Sequence, residues 1–214
     1  MENEKWKRTG GVNHYSLLIM HYTLDTIPDR LSRFFHLIGV VSTFYHANPD
    51  NRTKSMDITR DDVKALFRSL NAHEVDYLLV GGMATAVHGY VRATEDLDLW
   101  IRIGADNKSR LIIALTENEV VGAAYLQDVP LIFGWSSVSV GKRGFTLDMG
   151  HALKAFADTE FDTCYEKAFY ATFDDVPFKV INIRDLIKEK QATGRLKDLA
   201  DVEELIKIRD RNAA

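Results

Sequence analysis

Four apolar residues, Tyr77-Leu78-Leu79-Val80, run without interruption into Gly81-Gly82 and from there into Met83-Ala84-Thr85-Ala86-Val87-His88 before Gly89. A short continuous apolar run reads as a buried strand, and the glycine after the alanine-rich stretch reads as a helix stop. The unit is therefore strand, glycine turn, helix. Its turn places a backbone without side chains where amide groups and a helix N-terminus could meet an anion such as a triphosphate. A plain tight turn is the other reading, and the absence of a Gly-Lys-Ser/Thr ending excludes a P-loop.

Downstream, Asp96-Leu97-Asp98-Leu99-Trp100-Ile101 alternates with period two. On a strand that spacing sends both carboxylates to one face and Leu97, Leu99 and Ile101 to the other. Two neighbouring carboxylates repel each other, and a hard divalent cation relieves the repulsion while supplying what phosphoryl-type transfer needs. The competing reading is a solvent-facing polar edge, for which aspartate is a poor strand residue. Asp148, between Leu147 and Met149 on a further predicted strand over Phe145–Met149, would bring a third carboxylate if that strand lies beside the first. It could then act as general base or complete a metal site. A surface carboxylate is the alternative.

Helical spacing of Val63, Leu66, Phe67 and Leu70 predicts a helix from Asp61, with Thr59 as its cap. Another helix is predicted over Asn107–Thr116. Strands are predicted over Ala168–Phe173 and Phe178–Ile183, and helices over Arg184–Gln191 and Leu199–Ile208. Interleaved elements of this kind predict an α/β (α+β) domain with a small mixed sheet flanked by helices.

The chain divides at Met56. Residues 1–55 carry seven Lys/Arg against five Asp/Glu, and residues 56–214 carry 20 against 26. The polar stretch Asn48–Ser55 reads as a linker, so the compact domain is placed at 56–214 and residues 1–55 are an accessory extension. That extension holds four of the seven histidines without metal-ligand spacing, and they are given no role. The single cysteine, Cys164, excludes an internal disulfide and suits a reducing, cytoplasmic setting. No apolar run approaches the roughly 18 to 20 residues of a membrane span. A net charge of -4 argues against a broad nucleic-acid surface.

Val80-Gly81-Gly82, thirteen intervening residues, and Asp96-Leu97-Asp98-Leu99, followed later by a single strand carboxylate, resemble the signature of the nucleotidyltransferase superfamily that includes polymerase beta. The frame Arg92-x-Thr94-x-Asp96-x-Asp98 and the segment Gly194-Arg195-Leu196-Lys197-Asp198-Leu199-Ala200-Asp201 are similar to small bacterial nucleotidyltransferase-like proteins, including toxins of the abortive-infection type. The similarity runs from about Asp57 to Ile208.

The resemblance implies that Gly81 and Gly82 hold nucleotide phosphates, and that Asp96, Asp98 and Asp148 bind Mg²⁺, or Mn²⁺ in its place. It further implies transfer of a nucleoside monophosphate from a nucleoside triphosphate to a hydroxyl of a protein, a tRNA end or a small molecule. A cognate antitoxin or other protein partner belongs to the same expectation. Arg92, Lys190, Arg195 and Lys197 are candidate phosphate partners. Lys190 is read as surface charge, and Arg195 stands open between the two roles. Thr94 is read as a local cap that could also touch phosphate. Asp198 and Asp201 are read as helix-start caps, His88 as structural, and Trp100 and Trp135 as core residues. A non-catalytic nucleotide-binding or partner-binding module, or an RNA binder on the same fold, is the alternative function.

Overall fold

The structure is a computed structural model in which residues 60–128, 135–141 and 144–213 are described. The linker, the Met56 boundary, the Thr59 cap and the 1–55 extension lie outside the described residues.

Among the described residues the chain forms helix α1 (Asp61–Ala72), strand β1 (Tyr77–Leu79), α2 (Gly81–Val87), β2 (Asp96–Ile101), α3 (Ala105–Glu117), β3 (Trp135–Val140) and β4 (Phe145–Gly150). It continues with α4 (Phe161–Glu166), β5 (Phe169–Phe173), β6 (Val176–Val180), α5 (Ile183–Thr193) and α6 (Leu196–Ala213). The strands build one mixed sheet in the order β3-β4-β2-β1-β6-β5, and helices flank it. β4 runs parallel to β2 and β6 parallel to β1, while the other neighbours are antiparallel. No described helix is long and apolar enough to cross a membrane.

The predicted periodicities account for the core. Val63, Leu66, Phe67 and Leu70 form the buried stripe of α1, which is laid against α3 and β6. Phe67 stacks on Tyr77 and Phe178 with ring centroids 5.8 and 5.0 Å apart, tying the helix to β1 and β6. In β2, Leu97 and Leu99 are fully buried while Asp96 and Asp98 alternate with them at the half-buried face. Trp100 is a core residue, edge-on to Phe161 at 5.0 Å.

Several local expectations are corrected. Phe178–Ile183 is not one strand, because Asn182 accepts a hydrogen bond from the Arg184 N–H and opens α5 at Ile183. The helix placed at Leu199 begins at Leu196, so Asp198 and Asp201 lie inside α6. Trp135 is not a core residue: it starts edge strand β3, is 38% exposed, and donates its ring N–H to the Ala152 carbonyl. β3 and α4 escaped the sequence reading altogether. In β3 the only buried residues are Val138 and Val140, too weak an alternation among serines to stand out.

Candidate metal centre

Parallel pairing of β2 with β4 sets Asp98 directly opposite Asp148 and Asp96 opposite Thr146. Residues paired across neighbouring strands share a face, so the three carboxylates stand together. One oxygen from each of Asp96, Asp98 and Asp148 lies within 4.8 Å of the others.

Each carboxylate is held by a donor from a different segment. The Thr94 hydroxyl donates to Asp96 Oδ1 at 3.0 Å, which makes Thr94 a positioning group for the cluster. The Gly82 N–H donates to Asp98. Ser137, opposite Asp148 across the β3–β4 ladder, donates its hydroxyl to Asp148 Oδ1 at 2.5 Å. Ser137 was not singled out in the sequence, since its register with Asp148 depends on strand pairing.

The glycine pair is shaped around these same side chains. Gly81 has φ +66°, and a Cβ there would stand 1.8 Å from Asp98 Oδ2. A Cβ on Gly82 would stand 2.5 Å from the Thr94 hydroxyl oxygen. The turn needs glycine for its left-handed backbone at one position and for close approach at both.

Electrostatics of the cluster follow from burial and crowding. Burial, then the Asp96 and Asp148 charges, push the Asp98 carboxyl up to about 7, opposed by the Gly82 N–H and Lys190. Burial, with Asp96 adding to it, also raises the Asp148 carboxyl, and the Ser137 hydrogen bond acts against the rise. The cluster thus crowds like-charged groups in an oxygen-only donor set. Oxygens around one octahedral hard cation lie about 3 to 4 Å apart, which matches the span of the three carboxylates. These residues fit a divalent metal ion.

A cationic network lies beside them. Lys190, read from the sequence as surface charge, is buried, its ammonium 2.6 Å from Asp201 and 3.3 Å from Asp198. Arg92 grips Asp201 with two nitrogens at 2.6 and 2.7 Å and donates a third to the Ala93 carbonyl. Arg195 reaches Asp198 at 2.5 Å, yet its side chain is 61% exposed. Asp198 and Asp201 are therefore buried ion-pair partners that join α5, α6 and the loop before β2, not solvated caps. Burial pushes both carboxyls up, but bonds from Arg195 to Asp198, and from Arg92 and Lys190 to Asp201, hold them below the usual range.

Three cations against two carboxylates leave one positive charge in excess. Lys197 is exposed in the first turn of α6. His88 is structural: it packs on Phe169 and its Nε2 lies 2.8 Å from the Ile181 carbonyl oxygen, and burial depresses its basicity.

No protein-family model matches the chain, and no curated protein does. Among solved structures it is similar to an antigenic nucleotidyltransferase-like protein from Paracoccidioides brasiliensis, with 18% identity and a TM-score of 0.44. The match covers 72% of this chain and 76% of that one.

Proposed function

We propose that the chain is a divalent-cation-dependent nucleotidyltransferase that moves a nucleoside monophosphate from a nucleoside triphosphate to a hydroxyl acceptor. The observation that carries this reading is the convergence of Asp96, Asp98 and Asp148 from two parallel strands, with one oxygen of each within 4.8 Å of the others. Asp96, Asp98 and Asp148 hold Mg²⁺ or Mn²⁺. When bound, the ion supplies charge neutralisation and Lewis-acid polarisation at the phosphate undergoing attack.

The chain's own residues do the rest. Asp148 takes the proton of the acceptor hydroxyl, a role suited to a carboxylate already accepting a hydroxyl hydrogen bond. Thr94 and Gly82 keep Asp96 and Asp98 aimed at the shared site. The excess positive charge of Arg92, Lys190 and Arg195, with Lys197 nearby in sequence, draws the triphosphate in. Arg195 is the network cation most open to solution, whereas the nitrogens of Arg92 are engaged within the protein. Gly81 and Gly82 let the backbone pack directly against Asp98 and Thr94, which keeps the carboxylate cluster compact.

The proposed acceptor is a protein, a tRNA end or a small molecule, and a toxin role with an antitoxin partner is proposed from the sequence resemblance alone. The catalytic unit is assigned to 56–214, and limited proteolysis that left the 48–55 region intact would oppose that boundary. Incubation of purified protein with labelled nucleoside triphosphates, Mg²⁺ and cell extract should label an acceptor, and an Asp96→Asn/Asp98→Asn variant should stay folded but lose labelling. A wild-type protein that neither labels nor binds nucleotide removes the proposal.

The commitment of the Gly82 N–H and the Arg92 nitrogens to internal partners favours, as a second reading, a non-catalytic regulatory module. Calorimetry separates the two. Capture of a protein partner without metal-dependent nucleotide binding is the outcome expected of the module.

A further inference from the structure

Among the described residues, two side-chain hydroxyls donate to the carboxylate cluster, and their placements differ. Thr94 is buried against Gly82, where a single added carbon would already collide with it. Its hydroxyl donates to Asp96 Oδ1 from that packed position. Ser137 lies on β3, the edge strand beside β4, and is exposed. Its hydroxyl already points its proton at Asp148 Oδ1, 2.5 Å away.

The geometry points to Ser137 as an acceptor built into the protein, so that the chain modifies its own site with a nucleoside monophosphate. This rests on the nucleotidyl-transfer reading above. A serine hydroxyl is a weak nucleophile until a base within about 2.6–3.2 Å accepts its proton, and Asp148 stands in that position. In the step, Ser137 Oγ forms a bond to the α-phosphorus, and the bond from that phosphorus to the oxygen bridging to the β-phosphate breaks. Pyrophosphate leaves with the electron pair, and the serine proton passes to Asp148.

Holding the acceptor in the same chain as the base makes the encounter intramolecular, which favours it over an external hydroxyl at ordinary concentrations. The product phosphodiester stands next to Asp148, where an external acceptor would have to present its own hydroxyl. Modification therefore stops after one transfer per chain and closes the site to other acceptors. Ser139 shares the face of Ser137 on the same strand, pairing with Thr146 instead of Asp148, and is the internal control.

The test uses the full chain with each nucleoside triphosphate and Mg²⁺, read by intact-mass and peptide mass spectrometry. External acceptors, a cell extract and a hydroxyl-ended oligonucleotide, are assayed in parallel. The expected result is a gain of one nucleoside monophosphate on the peptide carrying Ser137, at a rate per chain independent of protein concentration. Ser137→Ala abolishes the adduct, Ser137→Thr restores it, and Ser139→Ala keeps it, with thermal melts confirming that each variant is folded. Transfer to an external acceptor with Ser137 unmodified, or an adduct on another residue, overturns this inference and leaves the nucleotidyltransferase reading standing. Neither adduct, nor external transfer, nor nucleotide binding overturns both. Labelling of an Asp96→Asn/Asp98→Asn chain by an active Ser137→Ala chain overturns transfer within one chain.

Discussion

Replacing Gly81 by alanine tests the close approach between the glycine turn and Asp98, and Gly194→Ala provides its calibration. The two glycines have nearly the same φ, +66° and +68°. A non-glycine residue in that left-handed region costs about 1–2 kcal/mol, partly recovered by the loss of freedom in the unfolded chain. At Gly194 nothing more is added, because the nearest atom to a new Cβ is the Gln191 carbonyl oxygen at 3.8 Å. At Gly81 the new Cβ would lie 1.8 Å from Asp98 Oδ2, 2.4 Å from its Cγ and 2.8 Å from its Cβ. Carbon atoms pack at about 3.5–4.0 Å. Rotating the Asp98 side chain relieves the first two contacts but not the third, since Asp98 Cβ is fixed by a strand bonded to β1 and β4 on either side. The turn or the strand must shift, at a further cost of about 1–3 kcal/mol. Gly81→Ala should thus lose about 2–5 kcal/mol in all, a large share of the 5–15 kcal/mol typical of a domain, roughly. Urea titrations of both variants, with EDTA and with Mg²⁺, read the difference. Gly81→Ala should unfold at clearly lower urea than Gly194→Ala and gain less from Mg²⁺, because its Asp98 carboxylate is displaced. Equal midpoints and equal metal responses would refute the contact.

Lys190→Met removes the ammonium shared by Asp198 and Asp201, and stripping one partner from a buried ion pair costs about 3–5 kcal/mol. A loss under about 1 kcal/mol in urea denaturation would show that the two arginines suffice without it. Asp96→Asn removes one of the like charges that raise Asp98 and Asp148, so the metal-free protein should be no less stable than wild type. The same variant should lose the melting-temperature rise that Mg²⁺ gives the wild type, and a retained rise would place the ion elsewhere. Stability in EDTA should fall as pH increases between the ordinary value of 3.8 and about 7, because folded Asp98 keeps a proton that the unfolded chain has released. Mg²⁺ should restore stability at the upper end of that window, whereas a flat EDTA profile would contradict the crowding of the three carboxylates. Asp198 and Asp201 act oppositely: held below their usual range, they contribute stability that is lost only as pH falls through their folded values.

Much of the chain's architecture could be read locally. The alternation from Asp96 to Ile101 assigned each residue to a face before any partner strand was known, and the apolar run into Gly81-Gly82 marked the end of β1 and the start of α2. The charged residues near the C-terminus were misread for the opposite reason. Lys190 meets carboxylates 8 and 11 positions away, and Asp201 meets an arginine 109 positions away. A local window sees a polar helix there and infers solvation. Desolvation with compensating pairing becomes visible only when α5, α6 and the loop before β2 come together.

What the sequence by itself determined is which side chains share a face and where the backbone must lack a side chain, because strand parity and glycine conformation belong to the chain's immediate neighbourhood. The tertiary structure alone decided that β4 lies parallel beside β2, which brings Asp148 to Asp98, and that β3 lies beside β4, which brings Ser137 to Asp148. The first pairing joins Asp98 to a residue 50 positions away, whereas β3 and β4 are consecutive strands and Ser137 lies 11 positions from Asp148. The choice of both pairings rests on burying the two apolar faces of the whole sheet at once, a free energy that no single segment contains.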